Sequence, residues 1–440
     1  MSFARRGLQS LTEYKPEKTY NGFTLFSPMT MVPSNTFLID MKGRFVHRWK
    51  LPGWVRIHAE LLLNGNLLFG LADPAQRNLE IPFAGGGVFE MDWEGKIVWS
   101  YEDKLLDCHD RVRLRNGNTL VASYRPVPEK IAKQLTGGRP GTELKGGMLS
   151  YALQEITREG KVAWEWIAYD HLDPVLDNIP PERHRIAWPG WNSYVELPDG
   201  NIMACSYNLD NIMILDRTTG GIKWRWGQGI ISMPHDPSML DNGNILVLDN
   251  NRWHMGGSYW PPDGSRVVEV NPETKEIVWE FKEENPVDFY TTYIGGCQRL
   301  PNGNTLICEG ATGRLFEVTP RGEMVWEYIV PFYARKDTLA PYGLSNCTYR
   351  CFRYGPDYPG LQGKMMDTGD LDLWNRLYGP EAFWPGPRPS WIGTGTQSSV
   401  AGDLPPRSQT ARLTFDETKP SVEDPTVGKK VDERLKQLGY

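Results

Sequence analysis

Three of the chain's seven histidines occupy one repeated place. His109 and His235 each stand seven residues ahead of an Asn-Gly-Asn triplet, in HDRVRLRNGN and HDPSMLDNGN, and His58 stands six ahead, in HAELLLNGN. In two further copies the place is taken by Asn192 (NSYVELPDGN) and Gly295 (GGCQRLPNGN). An imidazole offers a lone pair and a proton that moves near neutral pH, so histidines gathered in one place suit nucleophilic or acid–base work. The segments that return after the triplets carry Tyr124, Arg125, Tyr207, Asn250 and Arg252. Guanidinium groups facing neutral imidazoles suit a planar or tetrahedral anion, because arginine presents a fixed fork of donors. Three imidazoles converging from separate segments equally suit Zn²⁺ or another divalent ion with an open position for water.

The element that must position these groups is clearest in Pro234–Arg252, PHDPSMLDNGNILVLDNNR. Two apolar runs flank Asp-Asn-Gly-Asn, and an Asn-Gly pair between such runs signals a hairpin. A hairpin brings His235 and Asp236 beside Asn250, Asn251 and Arg252. The candidate catalytic residues are His235, His109, Arg252 and His58. Candidate substrate-binding residues are Asp236, Asn192, Arg125, Tyr124, Tyr207, Asn250 and His254, the last because it follows Arg252 so closely. The candidate metal ligands are His58, His109 and His235, for one divalent ion.

The hairpin recurs. Apolar runs around Asn-Gly-Asn or Asp-Gly-Asn occur at Leu61–Phe69, Arg113–Ala122, Glu196–Ala204, Met239–Leu248 and Arg299–Ile307. Between them lie hairpins that close on tryptophan, at Phe37–Trp49, Val88–Trp99, Leu153–Trp166, Ile212–Trp226, Val267–Trp279 and Leu315–Trp326. Four strands per unit, repeating along the chain, predict an all-β fold, a β-propeller of six four-stranded blades, with seven as the alternative. Thr19–Leu25, Ala340–Gly355 or both are expected to complete the remaining blade, since an open ring leaves an unpaired sheet edge. The predicted organisation is an N-terminal arm (1–18), the propeller (19–355) and an irregular proline-rich C-terminal extension (356–440) that wraps the propeller or is partly disordered. Insertions at Arg125–Gly147, Tyr169–Trp191 and Asn250–Gly264 are expected to cover the channel mouth, where His58, His109, His235 and Arg252 should converge.

Composition narrows the function. A net charge of −6 without a long basic run argues against a nucleic-acid partner. No apolar stretch is long enough for a membrane helix, and the start MSFARRGLQSLTEYKPEK has no apolar signal region, so a cytoplasmic location is expected. The six cysteines are then most simply reduced thiols. There is no phosphate-binding glycine loop and no GxSxG, HExxH or paired CxxC pattern. No nucleotide cofactor is expected, and the partner is a small-molecule substrate.

With HDPSMLDNGNILVLDNNR, the repeated Asn-Gly-Asn hairpins and outer hairpins such as FLIDMKGRFVHRW, the chain resembles the arylsulfotransferases over most of Tyr20–Tyr328. These are six-bladed propeller enzymes that move a sulfuryl group between phenols without a nucleotide donor. The resemblance implies that His235 and Arg252 contact sulfate, with His109 as a third member of the pocket. It also places the family's nucleophilic histidine where this chain has Gly295-Gly296-Cys297, so another histidine takes the transfer role or the chemistry differs. Cys297 is a candidate nucleophile there, a buried structural thiol the simpler reading. Family members are typically exported, whereas this sequence shows no leader. Two alternatives remain beside sulfuryl transfer: a metal-dependent hydrolase, hydratase or lyase using the three histidines, and a non-enzymatic propeller scaffold.

Overall fold

The computed structural model describes residues 9–31, 34–72, 84–252, 263–334, 346–366 and 371–383, all within the compact unit Met1–Gly393. His254, most of the Asn250–Gly264 insertion and the extension beyond residue 383 lie outside the described residues. The turn chemistry works as the sequence implies. Gly65, Gly117, Gly200, Gly243 and Gly303 take left-handed φ values between +83° and +88°, which glycine reaches without steric cost. The asparagine before the glycine, or Asp199 before Gly200, closes the turn through its side chain, as where Asn242 Oδ1 accepts from the Asn244 amide at 3.0 Å. The asparagine after it reaches sideways. Asn66, Asn244 and Asn304 donate to Glu90, Glu269 and Glu317 on the third strand of their own sheets, each at 2.7 Å. The triplet thus fixes both the hairpin and its neighbour strand.

The hairpins build six antiparallel sheets around one axis, a six-bladed propeller. The inner strands, blades 1 to 6 in order, are Thr348–Tyr354, Trp54–Leu61, Leu106–Arg113, Trp191–Glu196, Pro234–Met239 and Gly296–Arg299. The ring closes twice. Thr348–Tyr354 from the C-terminal side is the inner strand of blade 1, paired with Phe23–Pro28. Ser10–Tyr14 from the N-terminal side adds a fifth strand to the outer edge of blade 6, paired with Met324–Ile329. Each closure removes a row of unpaired backbone groups. Beyond the last strand, the helix Asp372–Tyr378 lays Trp374 against Phe37 and Phe332 and binds the Phe45 backbone through both polar atoms of Asn375.

The outer-strand tryptophans join the blades to one another. Trp49 donates its indole N–H to Asp92 O at 3.2 Å, Trp99 to Arg158 O at 2.9 Å and Trp166 to Gly220 O at 2.8 Å. Trp224 reaches Pro272 O at 2.8 Å, Trp279 Pro320 O at 2.9 Å and Trp326 Met41 O at 3.0 Å. Every one of these acceptors lies on the next blade, so six indoles form a closed belt. The recurring tryptophan is therefore both packing surface and hydrogen-bond donor to the next blade, two roles no other side chain combines at this size. Trp326→Ala, at the blade 6–blade 1 seam and fully buried, is expected to cost about 3–5 kcal/mol in urea denaturation. Trp326→Phe keeps the ring and loses the donor, so it should cost less.

Candidate active site

Two cavities lie along the axis, back to back. One, of about 410 Å³, opens at the face where inner strands begin and is partly roofed by the insertions. The other, of about 840 Å³, occupies the axial channel toward the Asn-Gly turns. His235 and Asp236 are consecutive yet face different cavities, His235 the mouth and Asp236 the channel. Met233 and Asp236 hold left-handed φ values of +55° and +58°, and the strand pairing is bulged between His235 and Ser238. Non-glycine residues are strained in that region, a cost that surrounding structure must impose.

The proton on His235 can be located from its partners. Nδ1 lies 3.0 Å from Met233 O and 2.6 Å from Asn250 Oδ1, both acceptors. Asn250 cannot present its nitrogen there, because Nδ2 donates to Thr291 O at 2.7 Å and Ile294 O at 3.1 Å. The imidazole therefore carries hydrogen on Nδ1, and its lone pair on Nε2. Burial holds the conjugate acid down at about 3, with Arg350 and His109 adding to the effect. His235 is a neutral base with one lone pair, on the wall of a cavity.

His109 lines the same cavity and is held by a carboxylate. Its Nδ1 lies 2.8 Å from Asp107 Oδ1, and its backbone amide donates to Oδ2 at 3.1 Å. The Tyr124 hydroxyl donates to the same Oδ1 at 2.6 Å, so buried Asp107 orients both rings. Tyr207 lies 6.2 Å from His109, centroid to centroid, and burial pushes its phenol up to about 12, so it stays protonated. Tyr349 lies 5.8 Å from the rings of both His235 and His58, and its buried hydroxyl has no partner among the described residues.

Of the residues expected at the mouth, His109, His235, Arg252, Asn192, Tyr124 and Tyr207 line that cavity. Asn250 stands behind His235. Asn192 donates to Pro234 O at 2.7 Å and so supports the strand that carries His235. Arg125 turns away, to Glu165 on an outer strand at 2.7 Å. Asp236 and His58 face the axial cavity. His58 is one residue out of step with His109 and His235, and adjacent strand residues point to opposite faces. Its Nε2 lies 3.6 Å from Asp110 and 3.4 Å from Arg350. Burial, then Arg111 and Arg350, hold its pKa well below the usual range. Among the described residues, no group of three or more His, Cys, Asp or Glu side chains is placed to hold a metal ion.

Asp107, Tyr349, Arg350 and the lid residues Arg139 and Arg183 carry no repeat signal in the sequence that singles them out, whereas His184 lies on an insertion expected to cap the mouth and does line the cavity. Asp107 was two residues from a selected histidine, and a carboxylate within hydrogen-bond reach of an imidazole is the usual orienting group. Tyr349 and Arg350 sit on the closing strand, which has no Asn-Gly turn from which to count.

The position expected to hold a nucleophilic histidine has no space for one. Gly295 takes φ +133°, and a Cβ there would stand 2.5 Å from Leu248 Cδ2 and 2.6 Å from Cys308 O. Gly295→Ala is expected to destabilise the fold by more than about 2 kcal/mol in urea denaturation, from strain and overpacking together. Cys297 faces the axial cavity, and burial raises its thiol well above the ordinary value. A thiol kept protonated is a poor nucleophile.

The family model described as "Arylsulfotransferase (ASST)" matches residues 58–331. No curated protein matches the chain. Among solved structures, the chain is similar to a protein of unknown function from Bacteroides caccae, at 14% identity over 76% of this chain and 98% of that one, with a TM-score of 0.48. It is also similar to a catalytically inactive virginiamycin B lyase from Staphylococcus aureus, at 11% identity over 74% and 89%, with a TM-score of 0.39.

Proposed function

From the premise that this chain belongs to the arylsulfotransferase family, we propose that it transfers a sulfuryl group from an aryl sulfate to a phenol through His235. The observation that carries this reading is the fixed tautomer of His235, whose lone pair is on Nε2. In the first half-reaction Nε2 attacks sulfur and the bond from sulfur to the aryl oxygen breaks. The leaving oxygen takes a proton from His109, which Asp107 orients. In the second half an incoming phenol returns a proton to His109 as its oxygen attacks sulfur, and the N–S bond breaks. Splitting one transfer into two displacements, with a positioned acid and base, is the general logic of covalent catalysis.

Arg252 and the Tyr349 hydroxyl supply donors for the three sulfuryl oxygens, whose charge the transition state redistributes. Tyr124, Tyr151, Tyr207 and Tyr293 give the cavity flat apolar walls that suit an aryl ring. The test is transfer from a panel of aryl sulfates to phenols by the purified chain. Transfer lost in His235→Ala and reduced about 10²–10⁴-fold in His109→Ala supports the reading. A wild-type chain inactive across the panel overturns it.

A further inference from the structure

The mouth cavity carries more positive charge than one sulfate ester needs. Its cationic lining groups are Arg139, Arg183 and Arg252, and Glu182 is its one lining carboxylate among the described residues. Arg183 is accounted for. It lies 2.6 Å from Asp210 and 3.5 Å from Glu182, and donates to Ser232 at 3.0 Å. Among the described residues Arg139 makes no such pair, and its guanidinium meets only the ring of His184, with Nη2 at 2.8 Å from Nε2 and 3.1 Å from Nδ1. After burial, Arg139 and then Arg252 depress the pKa of His184, so both positive charges are felt at one imidazole.

The position of Arg139 is built, not incidental. The two insertions that form the roof are stitched together at this point. Gly138 N–H donates to Ile179 O at 3.0 Å, Arg139 N–H to Arg183 O at 2.8 Å and Arg185 N–H to the Thr142 hydroxyl at 2.9 Å. Arg185 also binds Glu143 and Gly137 O. Arg139 is exposed to solvent at the edge of the cavity, on a framework of seven residues and beside an imidazole, so its remaining donors are open to an anion from solution. Charge-assisted bonds from guanidinium to carboxylate or phosphate are the strong and directional ones.

We propose that the lid forms an anion subsite, Arg139 with His184, which receives a second anionic group on the aryl substrate. This rests on the sulfuryl-transfer reading of the cavity. The substrate class is then an aryl sulfate bearing a further carboxylate or similar oxyanion, and one arginine serves each charge.

The experiment compares phenyl sulfate with 4-carboxyphenyl sulfate, by kcat/KM and separately by calorimetric Kd, in wild type, Arg139→Met and Arg139→Lys. The carboxylated ester is expected to be preferred by at least about tenfold in both measures, the scale of one charge-assisted hydrogen-bonded pair. Arg139→Met should bring the ratio near one, and Arg139→Lys should restore part of it. An arginine that only staples the lid would lower both esters together and leave the ratio unchanged, which overturns the proposal. So does equal binding of the two esters by wild type. Tighter binding of the carboxylated ester without turnover of either would keep the subsite and remove the transfer reading.

Discussion

His235→Ala is expected to lower kcat/KM for sulfuryl transfer by at least about 10³-fold, the scale of losing a covalent nucleophile. The expectation follows from two structural facts. Nδ1 is committed to Asn250 Oδ1 and Met233 O, so only Nε2 can attack. The ring is neutral at any pH above about 3, so its reactivity should be flat across the neutral range, and an acid limb in the rate profile belongs to another group. The same shift has a stability consequence of definite sign. Between about pH 3 and the ordinary 6.5, the unfolded chain binds a proton that buried His235 refuses. Its contribution to stability is therefore complete above 6.5 and declines as the pH falls toward 3. His235→Gln, which has no proton to accept, should unfold at lower pH than wild type in an acid titration followed by near-ultraviolet circular dichroism. An acid midpoint that does not move would contradict the burial account.

A stability effect as large as that of Trp326→Ala is expected at Arg350. Its guanidinium lies 3.3 Å from Asp110 Oδ2 and 3.1 Å from Asp236 Oδ1, with Asn192 O at 3.4 Å. Both Arg350 and Asp110 are almost fully buried. With His58 Nε2 also at 3.4 Å, the inner strands of blades 1 to 5 all meet this one side chain, and Asp110 and Asp236 come from strands that do not otherwise pair. Arg350→Met keeps most of the volume and strands two carboxylates in the channel. Removing one partner from a buried ion pair costs about 3–5 kcal/mol. Asp236 is already raised to about 6 by burial, against the pull of Arg350. Without that pull it should hold a proton more firmly in the folded state. The deficit of the variant should therefore shrink between pH 8 and pH 5, where the fold takes up protons that the unfolded chain has released. Urea denaturation at the two pH values measures this. An equal deficit at both would mean that lost packing, rather than stranded charge, is what the substitution does.

The fold was legible because its signals are local and repeated. Asn-Gly turns, alternation and a tryptophan at each outer hairpin all act within a dozen residues. The closure by Thr348–Tyr354 was also readable, since the ring needs a last strand. Its cargo was not, because Tyr349 and Arg350 have no turn beside them to set a count. For the site, counting seven residues back from the turn found His109, Asn192 and His235, which share one cavity. The count failed where a single residue changes the facing. His58 is out of step by one, and the bulge after His235 sends Asp236 into the channel. Arg125 sits at the expected rim in sequence, but Glu165 draws it outward. Pairings of that kind depend on which strand lies alongside, which spacing along one segment does not encode. The empty position at Gly295 is legible only in coordinates, where the backbone of blade 6 and Leu248 occupy the space.

The central claim is that His235 carries the sulfuryl group between donor and acceptor. It is tested most directly by exposing the protein to an aryl sulfate without acceptor, quenching in alkali, and mapping the peptides by mass spectrometry. The expected result is one added SO₃ on the peptide that contains His235, lost again when a phenol is supplied, and absent in His235→Ala. Steady transfer with no labelled histidine, or with the label on a different residue, would contradict it.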